Sequence, residues 1–361
     1  MKRIIGHLDM DSFFASLEER ATPSFKGKPI VVGSDPKEGK GRGVVSTANY
    51  KAREYGIRSA LPISKAWQLS EKAKKEGKEE VIFLPSNFDL YERSSEKILS
   101  IVKKYSSKVE QGSIDEFYFD LSDNNLKKAE NICKKIKQEI KTEEKITCSI
   151  GLGPNKLIAK IAAGKNKPDG FLIIKEEEIE DFLNPLPIRT IPGIGNKTAQ
   201  ILYDLKIGTI KQLKKYSCEE LKKILHSKTG EDIYLKARGI DKTPIIEYRE
   251  VKSISGQITF EDDVSDIVII TERYLKHNEE IFNRFKNSNF KKFKTLTITI
   301  RFSDFKTISS GKTFKDALGE NDIKLLKKET LRLLLPFLDR RKNPKMKRIR
   351  LIGIRLENFE K

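Results

Sequence analysis

Apolar residues in this chain fall into short unbroken blocks and longer stripes at helical spacing, and the two kinds alternate. The block Ile4-Ile5-Gly6-His7-Leu8 runs up to Asp9, the pattern of a strand inside a core sheet. Ser12 to Arg20 has helical spacing with Asp11 or Ser12 as its N-cap, and Pro23 and the Gly27-Lys28-Pro29 turn end it. Ile30-Val31-Val32 and Val44-Val45-Ser46-Thr47 predict two strands around a loop too rich in glycine for regular structure. Tyr50 to Tyr55 predicts a short helix. Residues 87–105 form an amphipathic helix through Ile98, Leu99, Ile101 and Val102, and Leu126 to Glu139 form another. Between them, Gly112 to Asp120 reads as two short strands meeting at a turn, with Asp115 and Glu116 at the bend. Ile146 to Ile150 then predicts a strand and Asn155 to Ala163 a helix. Strand, helix, paired strands, helix, strand predicts an α+β domain with its helices on one sheet face.

The pattern changes after residue 168. Residues 169–236 read as all helical, and Ile191-Pro192-Gly193-Ile194-Gly195-Asn196-Lys197-Thr198-Ala199 within them is a helix–hairpin–helix signature. Gly193 and Gly195 let the backbone approach a ligand closely, and the helix that follows, with Lys197 in its first turn, aims N–H groups at a phosphate. Residues 237–250 mix Gly239, Pro244 and charges without apolar periodicity and read as a linker. Beyond it, strands near 252–260, 294–303, 305–314 and 347–358 and helices near 267–287 and 322–338 predict a β-α-β-β-α-β domain.

Charge adds a partner. Among 361 residues, 71 Lys and Arg outnumber 52 Asp and Glu, for a net charge of +19, a surplus that suits a polyanion. Arg341, Lys342, Lys345, Lys347 and Arg348 form a basic run suited to a phosphate backbone, or equally a solvated charge run. The cysteines Cys133, Cys148 and Cys218 are odd in number and lack metal-type spacing. They read as small buried hydrophobes of a reducing compartment. No signal peptide and no apolar run of about 18 residues is legible, so a soluble cytoplasmic protein is expected.

Two neighbouring acids on an apolar hairpin are costly unless a cation sits between them and water. On a strand, Asp115 and Glu116 point to opposite faces, but a bend brings both to one rim. By itself that pair reads as a solvated hairpin tip. The second acidic strand end, at Asp9, turns it into a cage of hard oxygens, which octahedral Mg²⁺ prefers. Two such ions clamp the attacking and leaving oxygens of an in-line phosphoryl displacement. Asp9, Asp115 and Glu116 would be the ligands, with the Met10 backbone carbonyl as a further oxygen. Tyr50 and Arg53, three apart on one helical face, can hold a triphosphate, although such a pair alone reads as surface packing.

Four ordered motifs then carry a resemblance. Leu8 to Glu18, Thr47 to Arg53, Ser113 to Glu116 and Gly151 to Lys160 resemble the motifs of the Y-family DNA polymerases, of the DinB or DNA polymerase IV type. The resemblance spans essentially the whole chain. It implies a right-hand architecture: palm at 1–11 and 81–168, small fingers at 12–80, thumb at 169–236, linker at 237–250 and little finger at 251–361. It also implies template-directed, low-fidelity lesion bypass without proofreading, on primer–template DNA and deoxynucleoside triphosphates, in a monomer with two Mg²⁺ per site. Phe14 takes the position of the steric gate that excludes a 2′-hydroxyl, next to Phe13; Lys167 matches a triphosphate-contacting lysine; Thr47 and Arg58 lie near the nascent pair. Relatives of this type often end in a peptide that docks into the sliding clamp. Gly353 to Lys361 contains no convincing version of it, which leaves that partner open. The rival readings are a catalytically silent DNA-binding scaffold and a different palm-type nucleotidyl enzyme.

Overall fold

The computed structural model describes residues 3–360. Residues 1 and 2 of the expected palm, and Lys361 of the segment searched for a docking peptide, lie outside that range. The chain separates into two compact units. One runs through Gly39 and again from Val44 to Tyr248, and the other comprises Lys40–Gly43 and the chain from Arg249 onward.

The first unit opens with β1 (Ile5–Met10), α1 (Phe13–Ala21), β2 (Ile30–Gly33), β3 (Val45–Ala48), α2 (Tyr50–Glu54), α3 (Ile63–Lys75) and β4 (Ile82–Leu84). It continues through α4 (Phe88–Tyr105), β5 (Val109–Gln111), β6 (Glu116–Asp120), α5 (Leu126–Glu143), β7 (Cys148–Gly153), α6 (Lys156–Lys165) and β8 (Phe171–Ile173). Its main sheet has the order β5-β6-β1-β7-β8, with β1 in the centre and antiparallel to both neighbours. A smaller sheet, β3-β2-β4, joins a parallel and an antiparallel pair.

Strand alternation sorts the main sheet into two faces. Leu8, Met10, Phe117, Phe119, Ile150 and Leu152 join Ile98, Ile101, Cys133 and Ile136 of α4 and α5 in one buried cluster. The other face carries His7, Asp9, Glu116 and Tyr118, with His7 opposite Tyr118 and Asp9 opposite Glu116 in the ladder. The sequence pattern placed all helices on one face, and here α6 departs from it. It lies over Gly151, where a Cβ would stand 2.2 Å from the Ala159 carbonyl oxygen. Only glycine admits so close a helix. Ile158 and Ile161 of α6 then pack with the helical segment that follows, against Leu183, Ile188 and Leu202.

That segment comprises α7 (Ile179–Leu183), α8 (Asn196–Asp204), α9 (Ile210–Leu213), α10 (Cys218–Leu225) and α11 (Ser227–Ala237). The stretch read as all helical from residue 169 in fact begins with β8, an edge strand parallel to β7. Three residues are too few to show a period. Two further elements, α3 and β4, left no trace in the pattern. The buried stripe of α3 is Ile63, Ala66, Ser70 and Ala73, mostly small residues with little apolar contrast. The linker has no regular structure, yet it is pinned to the first unit. Asn155 donates to the Gly239 carbonyl (2.8 Å), Leu157 N–H to Asp241 (3.0 Å) and Ile246 N–H to Glu110 (2.8 Å).

The second unit follows the expected order: β9 (Ser253–Val264), α12 (Ile267–Lys286), β10 (Lys292–Phe302), β11 (Thr307–Gly319), α13 (Ile323–Leu338) and β12 (Ile349–Glu360). Its sheet, β11-β10-β12-β9, is antiparallel throughout. Leu296, Ile298 and Ile300 face a core shared with both helices, while Thr295, Thr297 and Thr299 alternate to the other side. The last described residues belong to this sheet, and Phe359 stacks on Phe290 at 4.4 Å.

One ionic cluster braces the first unit. Glu144, 2% exposed, caps the end of α5 and takes Arg20 of α1 at 2.5 Å, Lys97 of α4 at 3.2 Å and a hydrogen bond from Ser94. Burial alone would raise its pKa, but Ser94, Arg20 and Lys97 outweigh it and hold the carboxyl below the ordinary value of 4.5. A depressed carboxylate contributes stability above its unfolded pKa, and that stability is lost as pH falls through the folded value. Glu144→Gln should therefore lose about 1.5–3 kcal/mol at neutral pH and show a flatter acid limb below pH 4.5. Urea midpoints measured against pH test this. A mutant with the wild-type acid limb would assign the pH dependence elsewhere.

Candidate active site

The sheet rim builds the site. Asp9 is the penultimate residue of β1 and Glu116 the first of β6, directly opposite each other. Asp115 lies at the bend just before, and its carbonyl accepts the Met10 N–H at 3.0 Å. The backbone ladder thus brings together all three acids singled out by sequence, with the Met10 carbonyl beside them. Their side chains take different partners. Asp115 accepts from the Ser113 hydroxyl at 2.6 Å, Glu116 from Lys160 Nζ at 2.5 Å, and Asp9 from Lys167 Nζ at 2.5 Å. Among the described residues, no three His, Cys, Asp or Glu side chains converge closely enough to hold a metal in this arrangement. The donor set nevertheless suits a cation. The Lys167 ammonium sits between Asp9 Oδ1 and the Met10 carbonyl oxygen (2.9 Å), with Asp11 Oδ1 at 3.8 Å, and these are hard oxygens of the kind Mg²⁺ takes.

Burial and the two lysines set the charges. Burial raises the Asp9 pKa most; Lys167 pulls it down, Glu116 and Asp115 push it up, and it stands at about 6. Burial would also raise Glu116, but the close approach of His7 (3.6 Å) and the hydrogen bond and charge of Lys160 (2.5 Å) outweigh it, giving about 2. His7 is fully buried, with Nε2 3.6 Å from Glu116 and its ring 4.5 Å from that of Tyr118. Burial depresses the His7 pKa.

His7 and Lys160 were not singled out by sequence reasoning. The available signals were the polar residue in the apolar block and the lysine ending the motif Gly151 to Lys160. Asp11 was, but in another role. Its carboxylate, 2% exposed, accepts from Thr147 and Ser149 hydroxyls (2.8 and 2.9 Å) and from the Asp169 N–H (2.8 Å). Asp11 therefore does not cap α1. Ser12 holds the N-cap position in a left-handed conformation, φ 43°, without a side-chain cap. Asp11 instead ties β1 to β7 and to the loop carrying Lys167. That loop is held from its other side by Asp169, paired with Lys137 (2.8 Å) and Lys141 (3.0 Å) of α5. The resemblance implies a triphosphate contact for Lys167; its ammonium rests on Asp9 and the Met10 carbonyl.

The aromatic wall lies at the start of α1. Phe13 is buried, and Phe14, half-buried, stacks on Tyr91 of α4 at 4.2 Å and 9°. Tyr91 is locked by a hydrogen bond to Glu18 (2.5 Å). Arg53 lies over the Tyr50 ring at 4.6 Å and donates to the Ala48 carbonyl. The Tyr50 hydroxyl is buried with no hydrogen-bond partner among the described residues, and burial, reinforced by Asp11, lifts its pKa to about 12. Thr47 sits on β3, half-buried, and Arg58 is exposed.

Gly193 adopts φ 104°, which glycine tolerates best, and Gly195 is the N-cap of α8. A Cβ on Gly195 would meet nothing within 4 Å, so close packing within the chain does not require this glycine. Lys197 is exposed beside it. In the second unit, the basic run divides. Arg341 is paired with Asp339 at 2.6 Å, Lys347 with Asp304, and Lys342 donates to Ser310 (2.8 Å). Lys345 and Arg348 are exposed, without an ion-pair partner among the described residues.

Known proteins resemble this chain in sequence and overall fold. Residues 8–164 match the model of the impB/mucB/samB family, 251–361 that of its C-terminal domain, and 189–241 that of the DNA polymerase-iota thumb domain. The chain is 39% identical to DNA polymerase IV 2 of Methanosarcina mazei, over 98% of this chain and 91% of the relative. It is 37% identical to a DNA polymerase IV of Clostridium perfringens, over 99% and 95%. Among solved structures, a Y-family chimera of Dbh and Dpo4 matches at 32% identity and a TM-score of 0.84, and DinB from Sulfolobus solfataricus at 32% and 0.64. Each match covers 99% of both chains. No described helix is long and apolar enough to cross a membrane.

Neutralising Lys345 and Arg348 together should weaken duplex DNA binding and flatten its salt dependence, by about 0.9 in log–log slope for each phosphate no longer neutralised. Arg341→Ala should change the slope less, because Asp339 already balances that charge. Binding titrations at several salt concentrations check both. Equal slopes in all proteins would mean that the run faces only solvent.

Proposed function

We propose, from the premise that this chain belongs to the impB/mucB/samB family of Y-family DNA polymerases, that Asp9, Asp115 and Glu116 carry its metal-dependent chemistry with two Mg²⁺. The chain is a DNA-directed DNA polymerase of the translesion type. The observation that supports the site assignment best is the register that sets Asp9 opposite Glu116, with the Asp115 carbonyl bonded to Met10. Bound there, the ions would acidify the primer hydroxyl and neutralise charge on the triphosphate.

The remaining work belongs to the chain's own groups, and most of it is positioning. Glu116, held ionised by Lys160 and His7, remains an acceptor of cations across the working pH range. Tyr50 and Arg53 face the triphosphate as one stacked unit: the guanidinium takes phosphate charge and the unpartnered hydroxyl donates to a phosphate oxygen. Phe14, braced by Tyr91, stands against C2′ of the incoming sugar, with Phe13 fixing the helix start behind it. Lys167 supplies a further positive charge for the triphosphate, and Thr47 borders the nascent pair. The hairpin at Gly193 and Gly195 with Lys197 grips a duplex phosphate, and the exposed part of the basic run contacts the phosphate backbone.

We assign the domain roles at the bounds expected from the sequence, palm at 1–11 and 81–168, fingers at 12–80, thumb at 169–236 and little finger at 251–361, with two differences: β4 joins the small sheet of the fingers and β8 the main sheet of the palm. We assign the protein to the cytoplasm as a monomer acting on primer–template DNA and deoxynucleoside triphosphates, at low fidelity and without proofreading. Phe359, half-buried, packs against the core of the second unit and stacks on Phe290. A silent scaffold or another palm enzyme is not favoured, given the full-length match to polymerases.

Two measurements test this. Wild type should extend a primed template with Mg²⁺, and Glu116→Ala should bind the same DNA with activity reduced by at least about a hundredfold. Extension by the mutant at the wild-type rate would remove Glu116 from the chemistry. Phe14→Ala should admit ribonucleotides while keeping deoxynucleotide extension, raising the ribo-to-deoxy ratio about a hundredfold or more, because a steric exclusion is lifted. Unchanged sugar selection would sink the gate assignment.

A further inference from the structure

We infer that Lys167 is an internal competitor for the metal ligands, so that loading a divalent cation at Asp9 releases this ammonium toward the triphosphate. The inference rests on the metal assignment proposed above. Lys167 Nζ stands 2.5 Å from Asp9 Oδ1 and 2.9 Å from the Met10 carbonyl oxygen, with Asp11 Oδ1 at 3.8 Å. The first two oxygens are the ones assigned to the metal. A cation bonded to both would stand at about 2.1 Å from each, inside the volume that Nζ fills. The Lys167 and Asp9 side chains are only 19% and 20% exposed, so little water screens two cations from each other. One must leave.

Which part moves is also fixed by geometry. The loop backbone is anchored by the Asp169 N–H on Asp11 at 2.8 Å, and by the Asp169 carboxylate on Lys137 and Lys141. The exchange is therefore confined to rotation of the Lys167 side chain. The released ammonium remains beside the rim, within reach of an anion brought there with the metal. Metal loading and triphosphate capture then strengthen each other through one side chain, and such coupling is reciprocal. It also gives Lys167 two effects of opposite sign, one against the metal and one toward the nucleotide.

The test is Mn²⁺ binding to the full chain without nucleotide or DNA, followed by electron paramagnetic resonance, together with KM for a deoxynucleotide. Lys167→Met should bind Mn²⁺ on the order of tenfold more tightly, while KM rises by about tenfold because the charge-assisted hydrogen bond to the triphosphate is gone. Lys167→Arg, still cationic, should show no such tightening. Lys165→Met removes a nearby exposed charge that does not touch Asp9 and should leave Mn²⁺ affinity unchanged. Asp9→Asn should lose Mn²⁺ binding. If Lys167→Met binds Mn²⁺ no more tightly than wild type while Asp9→Asn still abolishes binding, the competition is overturned and the metal site stands. If Lys165→Met tightens binding equally, general charge accounts for the effect and the competition is likewise overturned. If Mn²⁺ binding ignores Asp9→Asn, the metal assignment falls and the competition with it.

Discussion

Two carboxylates placed directly opposite each other on a mostly buried sheet repel, and much of the first unit is arranged to offset that repulsion. Asp9 and Glu116 are cross-strand partners on the face away from α4 and α5. Like charges so placed destabilise a ladder, and burial without a counter-charge is costlier still. Two lysines from different places answer them: Lys160 from α6 and Lys167 from the loop beyond it. The two acids respond unequally. Glu116, with His7 and Lys160, is held at about 2, whereas Asp9, deeper among acids, stands at about 6.

The position of α6 follows from this demand and from one glycine. Gly151 lets the helix backbone lie on β7, which puts Lys160 within reach of Glu116. One turn earlier, Lys156 forms an almost fully buried pair with Glu110 at 2.6 Å, and Glu110 also accepts the Ile246 N–H. The same helix thus supports the acidic rim and fastens the linker, while its apolar side builds the core of the following helices. Because a buried pair loses much when either partner is removed, α6 has little freedom to shift without disturbing the rim.

The groups proposed to face the nucleotide show the same logic of support from behind. Phe14 is half-exposed but its ring is fixed by Tyr91, itself tied to Glu18. The Lys167 loop is fixed by Asp11 and Asp169, leaving only its side chain free to exchange partners. Rigid backing of mobile or exposed chemistry is what positioning requires, since small displacements at a reacting centre are expensive.

Much of the fold was legible because it rests on local periodicity. The apolar block before Asp9, the second strand of the acidic hairpin, the long helices α4 and α5, and the β-α-β-β-α-β order of the second unit all follow from alternation or helical spacing, whereas the first hairpin strand, β5 at Val109–Gln111, lies ahead of the stretch 112–120 that read as both strands. Elements with weak contrast were not: α3 buries small residues, and β4 and β8 are three residues long. The acids of the site were legible as types at strand ends, and the motifs around them carried the family. Sequence could not say which side chain each acid meets. That Lys160 serves Glu116, that Lys167 rests on Asp9, that Asp11 is a brace rather than a cap, and that Arg341 is already paired are contacts set by register and by packing of distant segments. Period and propensity act over a few neighbours, whereas these pairings are decided only when strands and helices far apart in the chain are brought together.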